Sequence, residues 1–218
     1  MANSFETELE RPECETLASL AQNLVYRLPG CDDNTIRLAL REVYADFCRR
    51  SCCLRVRRHF PVERDGVYML PVAFGGTVRN VTEVLLRGRP LREGHEWQAN
   101  DRAVFVDSRV TCTELDPCLH GDRHARPDIV EIAWIELPAF GSEKISRDVL
   151  ARHGEALCSG VLARLLAQTQ KPWSDPQLAP VEATRYEAAV NEECQRLYAT
   201  SPHGSGSLGN AIDTSSLI

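Results

Sequence analysis

Two helix-patterned blocks, residues 32–51 and 142–198, flank a long stretch of strand-like alternation, and this order constrains the fold more than any other feature. The second block is interrupted by Lys171-Pro172-Trp173-Ser174-Asp175-Pro176. Proline lacks an amide hydrogen and clashes with the preceding turn, so no helix runs through that segment. Two amphipathic segments broken at such a corner form a helical hairpin, and the first block supplies a third helix to pack on it. The expected fold class is α+β. It comprises a helical bundle core of three to four helices (1–53 and 141–200), an inserted antiparallel β-sandwich or barrel-like unit (54–140) and a flexible C-terminal tail (201–218).

In the first block, Ile36, Leu40, Val43, Tyr44 and Phe47 fall on one helical face, and Arg37, Arg41, Glu42, Asp46 and Arg50 fill the other. Asp32 or Asp33 suits the N-cap, where a carboxylate accepts free first-turn amides. Upstream, Leu17, Leu20, Leu24 and Leu28, with Ala21 and Val25 beside them, mark a shorter helix that Pro29-Gly30 stops. In the second block Ser142 is expected to cap a helix carrying Ile145, Val149, Leu150, Ala156, Leu157, Val161, Leu165 and Leu166. From 145 to 168 it would be about 36 Å long. Pro172, Pro176 and Pro180 make the corner, with Trp173 as an apolar plug. A last helix follows, with Val181, Tyr186, Val190, Cys194 and Leu197 on its face.

Between the blocks the period falls to two. Leu54, Val56, Arg58, Phe60 and Val62 alternate as in a half-buried strand. Further strands are expected at 67–72, 78–87, 90–97, 102–107 and 128–137, the last with the strongest signal, and Gly88 closes a hairpin. Residues 112–127 read as a long loop, Gly75-Gly76 as a turn, and 201–209 as Gly/Ser-rich tail.

No apolar run approaches the roughly 20 residues of a membrane span. The acidic N-terminus lacks the basic-then-apolar pattern of a signal peptide, so the nine cysteines are expected to be reduced thiols in a cytosol. The formal net charge is −6, whereas a protein that grips duplex DNA usually shows a basic balance. Charge is nevertheless segregated. Arg49, Arg50, Arg55, Arg57, Arg58 and His59 form a basic cluster, while Glu6, Glu8, Glu10, Glu13 and Glu15 form an acidic stretch. Such separation serves partner docking or contacts between like subunits, or simply marks two solvated faces.

The spacing Cys112-x5-Cys118-x-His120-x3-His124 offers zinc ligands by type. Its Cys–Cys gap is too long and its Cys–His gap too short for a standard tetrahedral loop, so a polar loop without metal is expected. The chain carries no Gly-x-Ser-x-Gly, phosphate-cradling glycine loop or dinucleotide fingerprint. Cys48, Cys158 and Cys194 lie within helical patterns and read as packing residues. The expectation is a non-enzyme with no catalytic residue and no cofactor.

The run Leu28-Pro29-Gly30-Cys31-Asp32-Asp33 leads into helix 36–50 with its Asp46-Phe47-Cys48-Arg49-Arg50 end. Later come Gly160-Val161-Leu162-Ala163-Arg164-Leu165, then Lys171-Pro172-Trp173-Ser174 and a helix led by Tyr186. Over about residues 14–198 this pattern resembles the head–tail connector (adaptor, or neck) proteins of tailed bacteriophages. The resemblance implies a structural virion protein of the neck, present in host cytoplasm during assembly. It implies a homo-oligomeric ring, typically of twelve copies, bound beneath a portal protein, extending a channel through which DNA passes without sequence-specific contact. The ring would dock the next neck or tail protein, with no membrane partner. The β insertion resembles variants that form an outward or downward domain. Cys52-Cys53 and the 112–124 loop depart from that pattern.

Candidate contacts to partners are Arg49, Arg50, Arg55, Arg57 and Arg58, together with the apolar tail positions Leu208, Ile212, Leu217 and Ile218. The Gly/Ser-rich tail is expected to order only on a neighbouring subunit or portal. An alternative of another class is a soluble carbohydrate- or protein-binding module whose β unit gathers Tyr68, Trp97 and Phe105 on one face.

Overall fold

Asp32 starts the best-defined helix of the computed structural model, which describes residues 14–63, 65–72, 75–110 and 129–200. Its carboxylate accepts from the Thr35 amide at 2.9 Å and from the Thr35 hydroxyl at 2.5 Å, capping helix α2 (Asp33–Ser51). All five apolar positions expected on the inner face are buried. Before it, β1 (Cys14–Thr16) leads into α1 (Ala18–Arg27), which buries Leu20, Ala21 and Leu24 but leaves Val25 exposed.

The second helical block departs from expectation at its start. Lys144–Ser146 form strand β9, antiparallel to β1 with Ile145 opposite Glu15, and the helix, α3 (Arg147–Leu166), begins only afterwards. Ile145 is fully buried by that pairing, so its apolar signal belongs to a strand. Ser142 does not cap the helix; its hydroxyl accepts from the Lys144 amide at 3.2 Å in the preceding turn. Six consecutive residues, Leu157 to Leu162, are buried, which makes α3 the central helix. After the proline corner comes α4 (Leu178–Thr200). Asp175 receives the Gln177 and Leu178 amides at 3.1 and 3.0 Å, and Pro180 sits in the first turn, where a missing amide costs nothing.

The buried face of α4 is Ala179, Glu182, Tyr186, Val190, Glu193 and Leu197. Val181, expected inward, is exposed, and Cys194 is half-buried. The helix is rotated from its apolar reading because two glutamates take inward positions. Trp173 packs against this helical core as expected.

Among the described residues the chain between α2 and α3 is mainly antiparallel β structure, and the fold is mixed α+β. Strands β2 (Arg55–Pro61), β8 (Ile129–Leu137), β4 (Thr77–Leu86) and β5 (Arg89–Pro90) form a sheet in the order β2-β8-β4-β5. Strands β3 (Val67–Met69), β7 (Ala103–Val106) and β6 (Trp97–Ala99) form a second sheet in the order β3-β7-β6. Arg87 and Gly88 turn the β4–β5 hairpin with φ of 52° and 80°, the left-handed pair of a type I′ turn. The single strand expected across 90–97 is broken by a turn at Gly94, φ 76°, into β5 and β6. Tyr68, Val84, Leu86, Trp97, Val104, Ile132 and Trp134 belong to a hydrophobic cluster distinct from that of the helices.

The helices are held closest at Gly160. A Cβ there would stand 2.6 Å from Val43 Cγ1 of α2 and 2.8 Å from Tyr186 Cδ2 of α4. One turn and a half earlier, a Cβ on Gly154 would meet only ordinary contacts, 3.5 Å to Leu20 and 3.6 Å to Leu150. The same substitution should therefore act oppositely at the two sites. Gly160→Ala gains about 1 kcal/mol of helix propensity but suffers overpacking of roughly 1–3 kcal/mol, a net loss. Gly154→Ala keeps the gain of about 0.5–1 kcal/mol. Urea midpoints should fall for the first and rise for the second; equal shifts would refute the close three-helix approach.

Candidate functional site

The basic cluster lies where α2 gives way to β2, and most of it is neutralised from within. Arg50 grips Glu187 of α4 through both terminal nitrogens, at 2.8 and 2.5 Å, and stands 3.5 Å from Asp46. That pairing holds the Glu187 carboxyl below the usual carboxylate range. Arg49 donates to Asp46 at 2.7 Å. On the outer face of the four-stranded sheet, Arg57 is paired with Ala133, which is paired in turn with Glu83. The small alanine lets the guanidinium cross the central strand to Glu83, at 2.8 Å, and to Glu131, which His59 also meets at 3.2 Å. Arg79 donates to the Arg49 carbonyl and stands 3.5 Å from Cys52 Sγ.

Arg55 and Arg58 differ. Both lie on the edge strand β2, and neither has an ion pair among the described residues. Of the five arginines singled out by sequence, Arg49, Arg50 and Arg57 brace the molecule, whereas Arg55 is exposed and Arg58 half-buried on the opposite face of the strand. The acidic stretch is represented only by Glu15, 3.6 Å from Arg147; Glu6, Glu8, Glu10 and Glu13 lie outside the described residues. Outside them too lie the Cys112–His124 segment and Leu208, Ile212, Leu217 and Ile218. Among the described residues no three His, Cys, Asp or Glu side chains stand together as metal ligands, and no helix is long and apolar enough to cross a membrane.

The three aromatic residues do not share a face. Tyr68 and Trp97 are buried opposite Val104 and Val106, whereas Phe105 points from the other side of β7 and is partly exposed.

Sequence reasoning missed the two inward glutamates of α4. Glu182 is 1% exposed, and its Oε1 accepts from Arg27 of α1 at 3.1 Å and Arg185 at 3.0 Å. Glu193 is 2% exposed and accepts from Arg196 at 2.7 and 2.5 Å, with Arg152 at 3.8 Å and His153 at 3.3 Å across on α3. The repeated signal Glu-x-x-Arg (182/185 and 193/196) was present, since residues three apart are neighbours on a helix. Both glutamates cross-link helices rather than forming an open cleft. The chain matches no protein-family model and no curated protein.

Burial pushes the Glu193 carboxyl up, but the Arg196 hydrogen bonds and the surrounding cations outweigh it and hold it below the usual carboxylate range. Burial lowers His153, against the pull of Glu193. Both signs make the fold acid-labile. A depressed histidine binds fewer protons folded than unfolded, so its contribution is whole above about pH 6.5 and declines below it. The glutamate contribution is whole above about pH 4.3 and is lost on further acidification. His153→Phe, which keeps a ring against Phe47 (4.9 Å between centroids), should flatten the decline of stability below about pH 6.5. Glu193→Ala should lower stability at pH 7, because it removes the acceptor of both Arg196 hydrogen bonds. Denaturant titrations across pH check both; an unchanged slope in the histidine variant would refute the first, and near-neutral behaviour of the alanine variant the second.

Proposed function

We propose that this protein is a structural head–tail connector of a tailed bacteriophage, a subunit of a ring beneath the portal. On this reading residues 1–53 and 141–200 are the ring-forming helical core, and 54–140 are an inserted β-sandwich or barrel-like unit projecting from it. The observation that carries the reading is that α2 and the α3–α4 pair, separated in sequence by the β segment, share one hydrophobic cluster closed at Gly160. That arrangement is the one expected of an adaptor core interrupted by an accessory unit. The extensive pairing of arginines with carboxylates also suits a channel protein. Fixed free cations bind phosphates strongly, whereas a net charge of −6 leaves DNA free to pass.

A closed ring needs a heterologous contact, in which one patch meets a different patch on the next copy. Within the basic cluster Arg55, on the exposed face of edge strand β2, is the cation we assign to such a contact, or to the portal above or the next neck or tail protein below. Residency in the virion neck, with a cytoplasmic phase during assembly, follows from this role.

Electron microscopy of the purified full chain, alone and with portal rings, tests it. Closed rings of this chain, or added density beneath the portal, are expected. Arg55→Glu should reduce ring yield at least tenfold, about 1.4 kcal/mol, without moving the monomer's melting temperature, since Arg55 lies on the exposed face of β2. Arg50→Ala should lower that temperature instead, through loss of the Glu187 bridge. A chain that stays monomeric and ignores portal at every concentration would rule the connector role out.

A further inference from the structure

Cys48 lies in the last turn of α2 and Cys53 just beyond its end, with their sulfurs 3.7 Å apart and both residues buried. The approach is made by the backbone. Cys52, between them, takes the left-handed conformation (φ 55°) and returns its amide to the Cys48 carbonyl at 3.0 Å, which curls the chain so that Cys53 falls back on the helix. A non-glycine residue costs energy in that conformation, so the turn is held by its surroundings. Arg79 stands against Cys52, and the Arg55 amide donates to the Cys53 carbonyl at 3.1 Å.

The other described thiols are placed differently. Cys158 is buried within α3, and burial pushes it up to about 11, where it is inert. Cys52 and Cys194 are half-buried and point at the Arg49 and Arg50 carbonyls, at 3.9 and 3.4 Å. Only Cys48 and Cys53, among the described residues, place sulfur against sulfur.

We infer that Cys48 and Cys53 are a dithiol site that a peroxide converts to an intramolecular disulfide, fastening the end of α2 to the segment entering β2. The sulfurs stand 3.7 Å apart and must close to the bonded distance of about 2.05 Å. The two residues have distinct parts. Cys48 is fully enclosed, while Cys53 is 7% exposed and follows the half-buried Cys52, so the oxidant meets Cys53 first. The Cys48 thiol's hydrogen bond draws Cys53 below the ordinary thiol value, and burial pushes Cys48 up. Arg152 of α3 adds positive charge nearby, set against Glu193 of α4.

The Cys53 thiolate attacks one oxygen of hydrogen peroxide; the O–O bond breaks, leaving a sulfenic acid and hydroxide. Cys48 sulfur then attacks the sulfenic sulfur; the S–O bond breaks, and the departing oxygen leaves as water with the proton from Cys48. Two thiols and one peroxide become one disulfide and two waters, with two electrons passing from sulfur to oxygen. The product braces the junction between the helices and the four-stranded sheet, where the Glu136 amide already bonds the Leu54 carbonyl at 2.8 Å.

Two arginines between the cysteines make the test direct, because trypsin cuts after Arg49 and Arg50 and separates peptide 42–49 from peptide 51–55. The folded full chain is treated with a small excess of hydrogen peroxide, unfolded in alkylating reagent, digested and analysed by mass spectrometry. A linked 42–49/51–55 pair is expected, lighter by two hydrogens than its separate peptides and reversed by dithiothreitol. Cys52→Ser should still give it, and Cys53→Ser should not. Performing the oxidation in denaturant should cut its yield several-fold as other pairings compete. The site is refuted if Cys48 stays alkylatable while Cys53 is oxidised to sulfinic acid, or if the link forms through Cys52. It is refuted equally if the unfolded chain gives the same yield.

Discussion

At Gly160 three helices meet with no room for a methyl group between them, and the rest of the helical core depends on that approach. Val43 of α2 and Tyr186 of α4 both lean on the bare Cα of α3. The contact places the Tyr186 hydroxyl 3.0 Å from Asp46 and its ring beside Phe47, 6.0 Å between centroids. From there Asp46 reaches Arg49 and Arg50, and Arg50 reaches Glu187, the residue that follows Tyr186 on α4. A steric fact about one glycine thus fixes which polar groups can meet at the end of α2, where the chain leaves the helices for the sheet.

The same end of the molecule shows how charge is used. Burying a carboxylate is costly unless cations and hydrogen bonds surround it. Glu182 and Glu193 each take one arginine from their own helix and another from a different one, although Glu182 is served through Oε1 alone and its Oε2 is buried without a hydrogen-bond partner. Buried ion pairs in general often add no more stability than apolar residues of similar size, but a slipped α4 would strand two buried charges. On the sheet, Arg57 reaches over Ala133 to Glu83 and Glu131. Much of the basic cluster is therefore internal bracing, leaving Arg55 and Arg58 on the edge strand as the unpaired pair among the described residues.

Much of this was legible in the sequence. The inner face of α2, its Asp32 cap, the strength of β8 and the Gly88 hairpin could all be read from local patterns, because each rests on a period or a turn conformation. What escaped depended on distant partners. Ile145 is equally apolar in a helix or a strand, and its pairing with Glu15, far back in the chain, decided for the strand. The rotation of α4 was hidden because a glutamate counts as outward until its arginines are located. Tyr68 and Trp97 looked like a possible binding surface, yet the two sheets enclose them. The basic cluster was visible as composition, but which arginines were already occupied required the cross-strand register.

The central structural claim is that α2, α3 and α4 are one cooperative unit although the whole β segment separates the first from the others. Native-state hydrogen exchange in low urea measures this most directly. Amides around Leu40–Phe47, Leu157–Leu162 and Tyr186–Val190 should converge on one opening free energy and respond together as denaturant rises. If α2 instead exchanged with the neighbouring strands β2 and β8, while α3 and α4 opened separately, the shared core closed at Gly160 would be contradicted.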